Sequence, residues 1–491
     1  MKGTKICWDS IKALKNGLKK PTPVKERMMK KPDGTKCKSS EENAEVFRNH
    51  FEKLYDRHST FDPEILNLLE QSPVLTVCEQ RPTRNDIRKA LCRLKNKAPG
   101  DSGITPLMLK ACIHNEEYFS LLGNIILEVW DYESPPVCWD TGLLKVLPKK
   151  GDLSQPGNYR GIMLLEVAYK ILAILIHDRL QPLIESLDHE SQCGFRPGRG
   201  CQDAIFSVNM AMKKRREHNK ETWILFLDLI KAFDRVPRVL LWSVLEKFGA
   251  PKKLICLIKS LHDNFKVDFE IENCKHSINC TIGVKQRDIL GPALFVIFIT
   301  AIMISWRKMY NRPLCVFRTR NDFCLTGRRI NSTGTDFDFP DSEYADDTAV
   351  LYESHEDVVL YTPLLLTHFD RFGMEVHAGD ISLSDKPPKT EILLVSAPPS
   401  CYHDPNTFDN TDLSPIELGE GKFIPITDRF CYLGKIMSRD DLDIINRIKR
   451  AGNAFGAIRK SIFSNSNVST SVKASVYESL ILPILLYGSE S

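Results

Sequence analysis

A chain of 491 residues with 42% hydrophobic and 26% charged side chains is long enough for several domains and too apolar for global disorder. Its fifteen cysteines include no CxxC pair, the closest being Cys274 and Cys280, which excludes a zinc knuckle; with no secretory apolar segment near Met1, an intracellular setting (cytoplasm or nucleus) is expected. Net charge is +4, yet residues 1–38 hold twelve Lys or Arg against three acids, so this basic arm carries +9 and the remainder −5.

Such an arm suits contact with a polyanion, because each neutralised phosphate releases counterions, although the same run also serves as a plain solvated tail. Beyond it, Ala44, Phe47, Phe51 and Leu54 recur at helical spacing within 41–55, and further helical stretches are expected over 63–69, 83–94 and 106–130. The turn formers of 95–104 separate the last two. A short strand is expected over 143–147 and a long helix over 164–187. Then come a buried strand at 224–227, a helix at 238–248 and a strand region at 344–352. This order predicts an α+β fold whose mixed sheet carries helices on one face. The uncharged run 289–306 meets the minimum length of a membrane span, but it opens on Gly291 and Pro292 between close charges and reads as a buried core helix. Segments 311–342 and 396–420 are polar and read as loops or insertions. Near the C-terminus Ile444, Ile448, Ala451, Phe455, Ile458 and Ile462 form an apolar stripe, with Arg447, Lys449, Arg450, Arg459 and Lys460 off it.

Two places carry chemistry. Asp228 closes the apolar run 223–227, where an Asp serves either as a cap for the following turn or as a metal ligand. Asp346 and Asp347 are adjacent, and in an extended strand their side chains would point to opposite faces; both reach one site only from a hairpin turn, which makes Asp346 the surer ligand. Three carboxylates of this kind match what Mg²⁺ takes from a protein, leaving substrate phosphates and water to complete its shell. They would suit two-metal phosphoryl transfer, while the plainer reading is a solvated Asp-Asp turn.

These residues resemble the reverse transcriptases of non-LTR, LINE-type retrotransposons, whose YADD box matches Tyr344 to Asp347. Further stretches follow in family order: Lys95-Asn-Lys-Ala-Pro-Gly, Pro148-Lys-Lys-Gly-Asp, Asn158-Tyr-Arg-Gly-Ile, Gln192-Cys-Gly-Phe-Arg, Asp228-Leu-Ile-Lys-Ala-Phe-Asp234, Tyr432-Leu-Gly and Leu485-Leu-Tyr-Gly-Ser-Glu490. Seven boxes in order are specific where one is not. The resemblance implies a right-hand polymerase: a basic arm over 1–40, a helical N-terminal extension over 41–135, fingers and palm over 136–430, and a thumb over 431–491. It implies an RNA-directed DNA polymerase that uses an RNA template, a DNA primer and deoxynucleotides, no membrane, and two Mg²⁺ ions, with Mn²⁺ as a substitute, on Asp228, Asp346 and Asp347. Lys149 and Arg160 would neutralise the triphosphate, Phe233 would exclude a ribose 2′-hydroxyl, and Gln286 would lie beside the nascent base pair. Lys389 would protonate the leaving pyrophosphate, Asp234 would cap a helix, and Arg447, Lys449, Arg450, Arg459 and Lys460 would meet duplex phosphates. The sequence departs from the family pattern at Arg287 and Gly291, and Pro387-Pro388 precedes Lys389 where an Asn is usual. Those departures keep open an impaired RNA- or DNA-binding remnant. With no endonuclease region, the chain reads as a fragment of an element.

Overall fold

The computed structural model describes residues 28–149, 151–187, 190–271, 274–285, 288–310, 312–318, 335–381, 388–397 and 414–490. Local capping starts the N-terminal helices where the periodicity places them. Ser39 accepts from the amide of Glu42 at the head of α1 (Ser40–Tyr55), and Thr83 and Asp86 form a reciprocal capping box for α2 (Arg84–Arg93). The helix expected over 106–130 is divided: a short helix, Pro106–Ala111, gives way to a tight turn, and α3 (Glu116–Tyr132) restarts where the Asn115 side chain accepts from two amides.

Strands β1 (Thr141–Pro148) and β2 (Tyr159–Leu164) form an antiparallel pair, followed by α4 (Val167–Ser186) and α5 (Cys201–Glu217). After β3 (Thr222–Leu227) come α6 (Arg238–Lys247), α7 (Lys252–Ser260) and the hairpin β4 (Lys266–Ile271) and β5 (Cys274–Asn279). This hairpin joins β1 in parallel to complete a four-stranded sheet, β2-β1-β4-β5. Later elements that position the site are α8 (Leu290–Arg307), β6 (Asp341–Tyr344), β7 (Asp347–Tyr352), α9 (His355–Arg371), β8 (Glu391–Val395), β9 (Ile426–Thr427), the hairpin β10 (Phe430–Tyr432) and β11 (Lys435–Met437), and α10 (Asp440–Ile458).

The second large sheet has the order β9-β8-β3-β7-β6, with β3 at its centre and antiparallel to both neighbours. Both of its faces are covered, which corrects the one-faced expectation. Trp223, Leu225 and Leu227 pack into the main core with α8 and α9, whereas Ile224 and Phe226 meet Ala204, Ile205 and Val208 of α5. Burial on two sides explains why β3 reads as a continuous apolar run rather than an alternation. Helix α8 is buried almost throughout, from Leu290 to Trp306. Among the described residues it is the one helix long and apolar enough to cross a membrane, and here it is the core helix beneath this sheet. Within the expected loops, 311–342 and 396–420, the described residues include strands Val316–Arg318, Asp336–Asp338, β6 and Ile416–Gly419.

Candidate active site

Strand register alone brings the acidic residues together. Leu227 faces Thr348 on β7, and Phe226 faces Glu391 on β8. Continued by one step on the β7 side and two on the β8 side, the same registers set Asp228 level with Asp347 and with Lys389, at a strand spacing of about 4.8 Å. The Lys389 ammonium reaches Asp228 Oδ2 at 3.1 Å, so Pro388 does not keep it from the site; Pro387 lies outside the described residues. The backbone of Asp228 is held as well, its amide donating to Thr390 Oγ1 (3.2 Å) and its carbonyl accepting from the His377 amide (2.8 Å).

The Asp pair sits at a hairpin turn, from which Asp346 lines one cavity beside Asp228 and Asp347 lines another. Tyr344 pairs with Asp347, leaving Ala345 and Asp346 as a two-residue turn, with Ala345 at φ +59° in the left-handed region. Burial is the largest influence on both carboxyls. It pushes Asp347 up to about 6, helped by the charges of Asp346 and Asp228 and opposed by Lys389. Asp346 is also pushed up by burial and, to a lesser degree, by Asp228.

A cavity of about 650 Å³ gathers most of the remaining candidates: Asp228, Asp346, Lys149, Arg160, Phe233 and Lys389 all line it. Two further groups that sequence reasoning missed are there, Lys231 and His50. Burial lowers Lys149, with Arg160 and Lys389 adding repulsion; burial also lowers Lys231, with further repulsion from Lys149, Arg235 and Arg57. His50 is pushed down to about 4 by burial and then by Lys231 and Lys149, so it is neutral at pH 7. A cluster of mutually repelling cations is relieved by a polyanion such as a phosphate chain. Phe233 stacks on Phe295 with ring centroids 4.4 Å apart, which fixes the ring at the cavity wall. A smaller cavity of about 330 Å³ lies on the other side of Asp228, between Asp347, Lys389 and the hairpin residues Phe430, Tyr432 and Leu433.

Other expectations are placed differently. Gln286 and Arg287 lie outside the described residues. At Gly291 an added Cβ would stand 2.5 Å from the Lys285 carbonyl oxygen, so this packing requires glycine. Asp234, expected to cap a helix, lies in the turn Ala232–Arg235 that follows Lys231, and it lines the larger cavity. Arg447 is buried and paired with Asp443, because the face of α10 that meets the β10–β11 hairpin carries Asp443, Arg447 and Ala451. Ile444 and Ile448, expected in the core stripe, are therefore exposed, as are Lys449, Arg450, Arg459 and Lys460.

Among the described residues, no three His, Cys, Asp or Glu side chains converge closely enough to enclose a metal as they stand. The donor chemistry nevertheless fits a hard divalent cation: Asp228 and Asp346 present only oxygen to one cavity, and burial, followed by the charge of neighbouring carboxylates, raises Asp346 and Asp347.

Residues 147–393 match the family described as "Reverse transcriptase (RNA-dependent DNA polymerase)". The chain is 25% identical to the "RNA-directed DNA polymerase from mobile element jockey" of Drosophila melanogaster, over 96% of this chain and 48% of that protein. It is 26% identical to the "Probable RNA-directed DNA polymerase from transposon X-element" of the same organism, over 66% of this chain and 36% of the relative. For the "Probable RNA-directed DNA polymerase from transposon BS", also from Drosophila melanogaster, the figures are 28%, 59% and 32%. The chain thus spans about half, or less, of the length of these relatives.

Proposed function

The chain belongs to the reverse transcriptases of non-LTR retrotransposons, and from that premise we propose that it copies an RNA template into DNA by adding deoxynucleotides to a primer 3′-hydroxyl. The observation that carries this reading is the single cavity shared by Asp228, Asp346, Lys149, Arg160 and Phe233. In this reading the four-stranded sheet belongs to the fingers, the five-stranded sheet is the palm, and α10 opens the thumb.

The reaction joins the primer 3′-oxygen to the α-phosphorus of the nucleotide and breaks the α–β bridge, releasing pyrophosphate. Lys149 and Arg160 hold the phosphate chain, with Lys231 as a third cation on the same wall. Asp228, Asp346 and Asp347 would hold divalent cations. When bound, those ions supply charge compensation for the attacking and leaving oxygens. In the nucleotide-free chain Lys389 neutralises Asp228, and it stands on the cavity wall from which it can donate a proton to the leaving group.

The test is primer extension by the purified chain on primed RNA with deoxynucleotides and Mg²⁺. Extension is expected; folded protein that binds the RNA–DNA duplex without extending it would reduce the chain to a binding remnant.

Sugar selection gives a separate readout. In Phe233→Ala the loss of the ring stacked on Phe295 opens the wall, and the preference for deoxynucleotides over ribonucleotides is expected to fall on the order of 10²-fold. Competing incorporation rates measure it; an unchanged preference would remove Phe233 from the sugar contact.

A further inference from the structure

Gln192 lines neither cavity, yet its side chain is 1% exposed and every polar atom on it is engaged beside the turn that carries Asp346. Its Oε1 accepts from the amides of Gly194 (2.7 Å) and Ala345 (2.9 Å). Its Nε2 donates to the Glu343 carboxylate (3.0 Å). The backbone does the same work in parallel: Cys193 donates to the Glu343 carbonyl and Glu343 to the Ser191 carbonyl, both at 2.8 Å, so residues 191–193 lie along β6 like an added strand. Gly194 approaches so closely that a Cβ there would stand 2.4 Å from the Ala345 nitrogen. The anchored amide belongs to Ala345, whose positive φ is disfavoured for an L residue and needs surrounding structure to hold it.

We propose that Gln192 is a positioning residue for catalysis: by fixing the Ala345 amide it sets the turn that presents Asp346 and Asp347. This rests on the polymerase reading above. Only a side chain with an acceptor and a donor serves both contacts. Methionine, of similar length, would leave two buried amides unpaired, and glutamate would place a second buried carboxylate against Glu343. The pair can be exchanged: in Gln192→Glu with Glu343→Gln, the new carboxylate accepts from both amides and the new amide donates back to it.

Four full-length chains decide the matter: wild type, Gln192→Met, Gln192→Glu, and the exchanged double variant. In primer extension Gln192→Met is expected to lose about 10²-fold in kcat with KM for the nucleotide within about twofold, the signature of misplaced reacting groups rather than lost binding. The exchanged pair is expected to recover most of the loss, and Gln192→Glu alone is not. Amide hydrogen exchange across 343–347 gives a readout independent of activity, expected to speed up about tenfold in Gln192→Met and to recover in the exchanged pair. Full kcat in Gln192→Met, or unchanged exchange, overturns the proposal; if that variant does not fold, an inactive but folded exchanged pair overturns it. A wild type that never extends a primer would instead end the polymerase reading, while the exchange rates still decide whether Gln192 holds the turn.

Discussion

An Asp346→Asn chain is expected to lose primer extension by at least ~10³-fold, equivalent to ~4 kcal/mol of transition-state stabilisation, while keeping its fold. The substitution preserves shape and removes one charge from a turn whose backbone is held by Gln192 and Gly194. It should not cost stability, because burial raises both carboxyls, with Asp228 adding to the shift of Asp346 and both Asp346 and Asp228 adding to that of Asp347. The folded value of Asp347, about 6, lies above the ordinary carboxyl range, so the contribution of this group to stability is complete below pH ~4 and disappears as pH rises through 6. Activity runs the other way, since only the ionised carboxylate serves a cation; extension should fall on acidification, at a pH that drops as the Mg²⁺ concentration is raised. With Asp346 neutral, one cause of the shift is gone, and the stability loss of Asp347 should move to lower pH. Melting curves between pH 4 and 8, beside extension rates, separate the two effects. Retained extension in Asp346→Asn would remove this residue from the catalytic set.

What was legible in the sequence follows from how locally each feature is determined. Strand β3 and helix α8 announce themselves because both are enclosed, which demands apolar residues on every side. The hairpin beneath Asp346 and Asp347 was legible from the geometry that two adjacent carboxylates need. Strands β4 and β5 were missed although a signal existed: in β4, Val267 and Phe269 alternate with Lys266, Asp268 and Glu270, a period of two around a half-buried strand. Gln192, His50 and Lys231 could not be ranked from sequence, because their meaning lies in contacts made across the fold. Gln192 meets Ala345 across 153 residues, and His50 reaches the cavity from a helix far upstream. The face of α10 was misread for another reason. The stripe is core from Ala451 through Ile458 to Ile462, but the first turns of the helix pack on the turn of a small hairpin, whose carbonyls call for a donor rather than an isoleucine; the i,i+4 pair Asp443 and Arg447 was the available clue.

Arg447 and the exposed cations near it should respond to substitution in opposite ways. The Arg447 guanidinium donates to the Gly434 carbonyl, stands 4.6 Å from the centre of the Tyr487 ring and lies 3.6 Å from Asp443. Asp443 in turn accepts from the Ile436 amide at 3.0 Å, and the Tyr487 hydroxyl donates to the Leu433 carbonyl at 2.7 Å. Together these contacts hold a tight turn in which Leu433 and Gly434 both have positive φ, and Leu433 borders the smaller cavity beside Asp228 and Asp347. Arg447→Ala strands the Asp443 carboxylate, whose side chain is only 10% exposed, and is expected to cost ~3 kcal/mol of stability. Its effect on the salt dependence of duplex binding should be negligible. Lys449→Gln, Arg450→Gln, Arg459→Gln and Lys460→Gln should leave stability within ~0.5 kcal/mol, and each that meets a phosphate should lower the slope of log K against log salt by about one. Denaturant midpoints and binding titrations at several salt concentrations measure both quantities. A slope that falls in Arg447→Ala while its midpoint holds would return this arginine to the duplex and leave the turn at Gly434 supported by Tyr487 and Asp443.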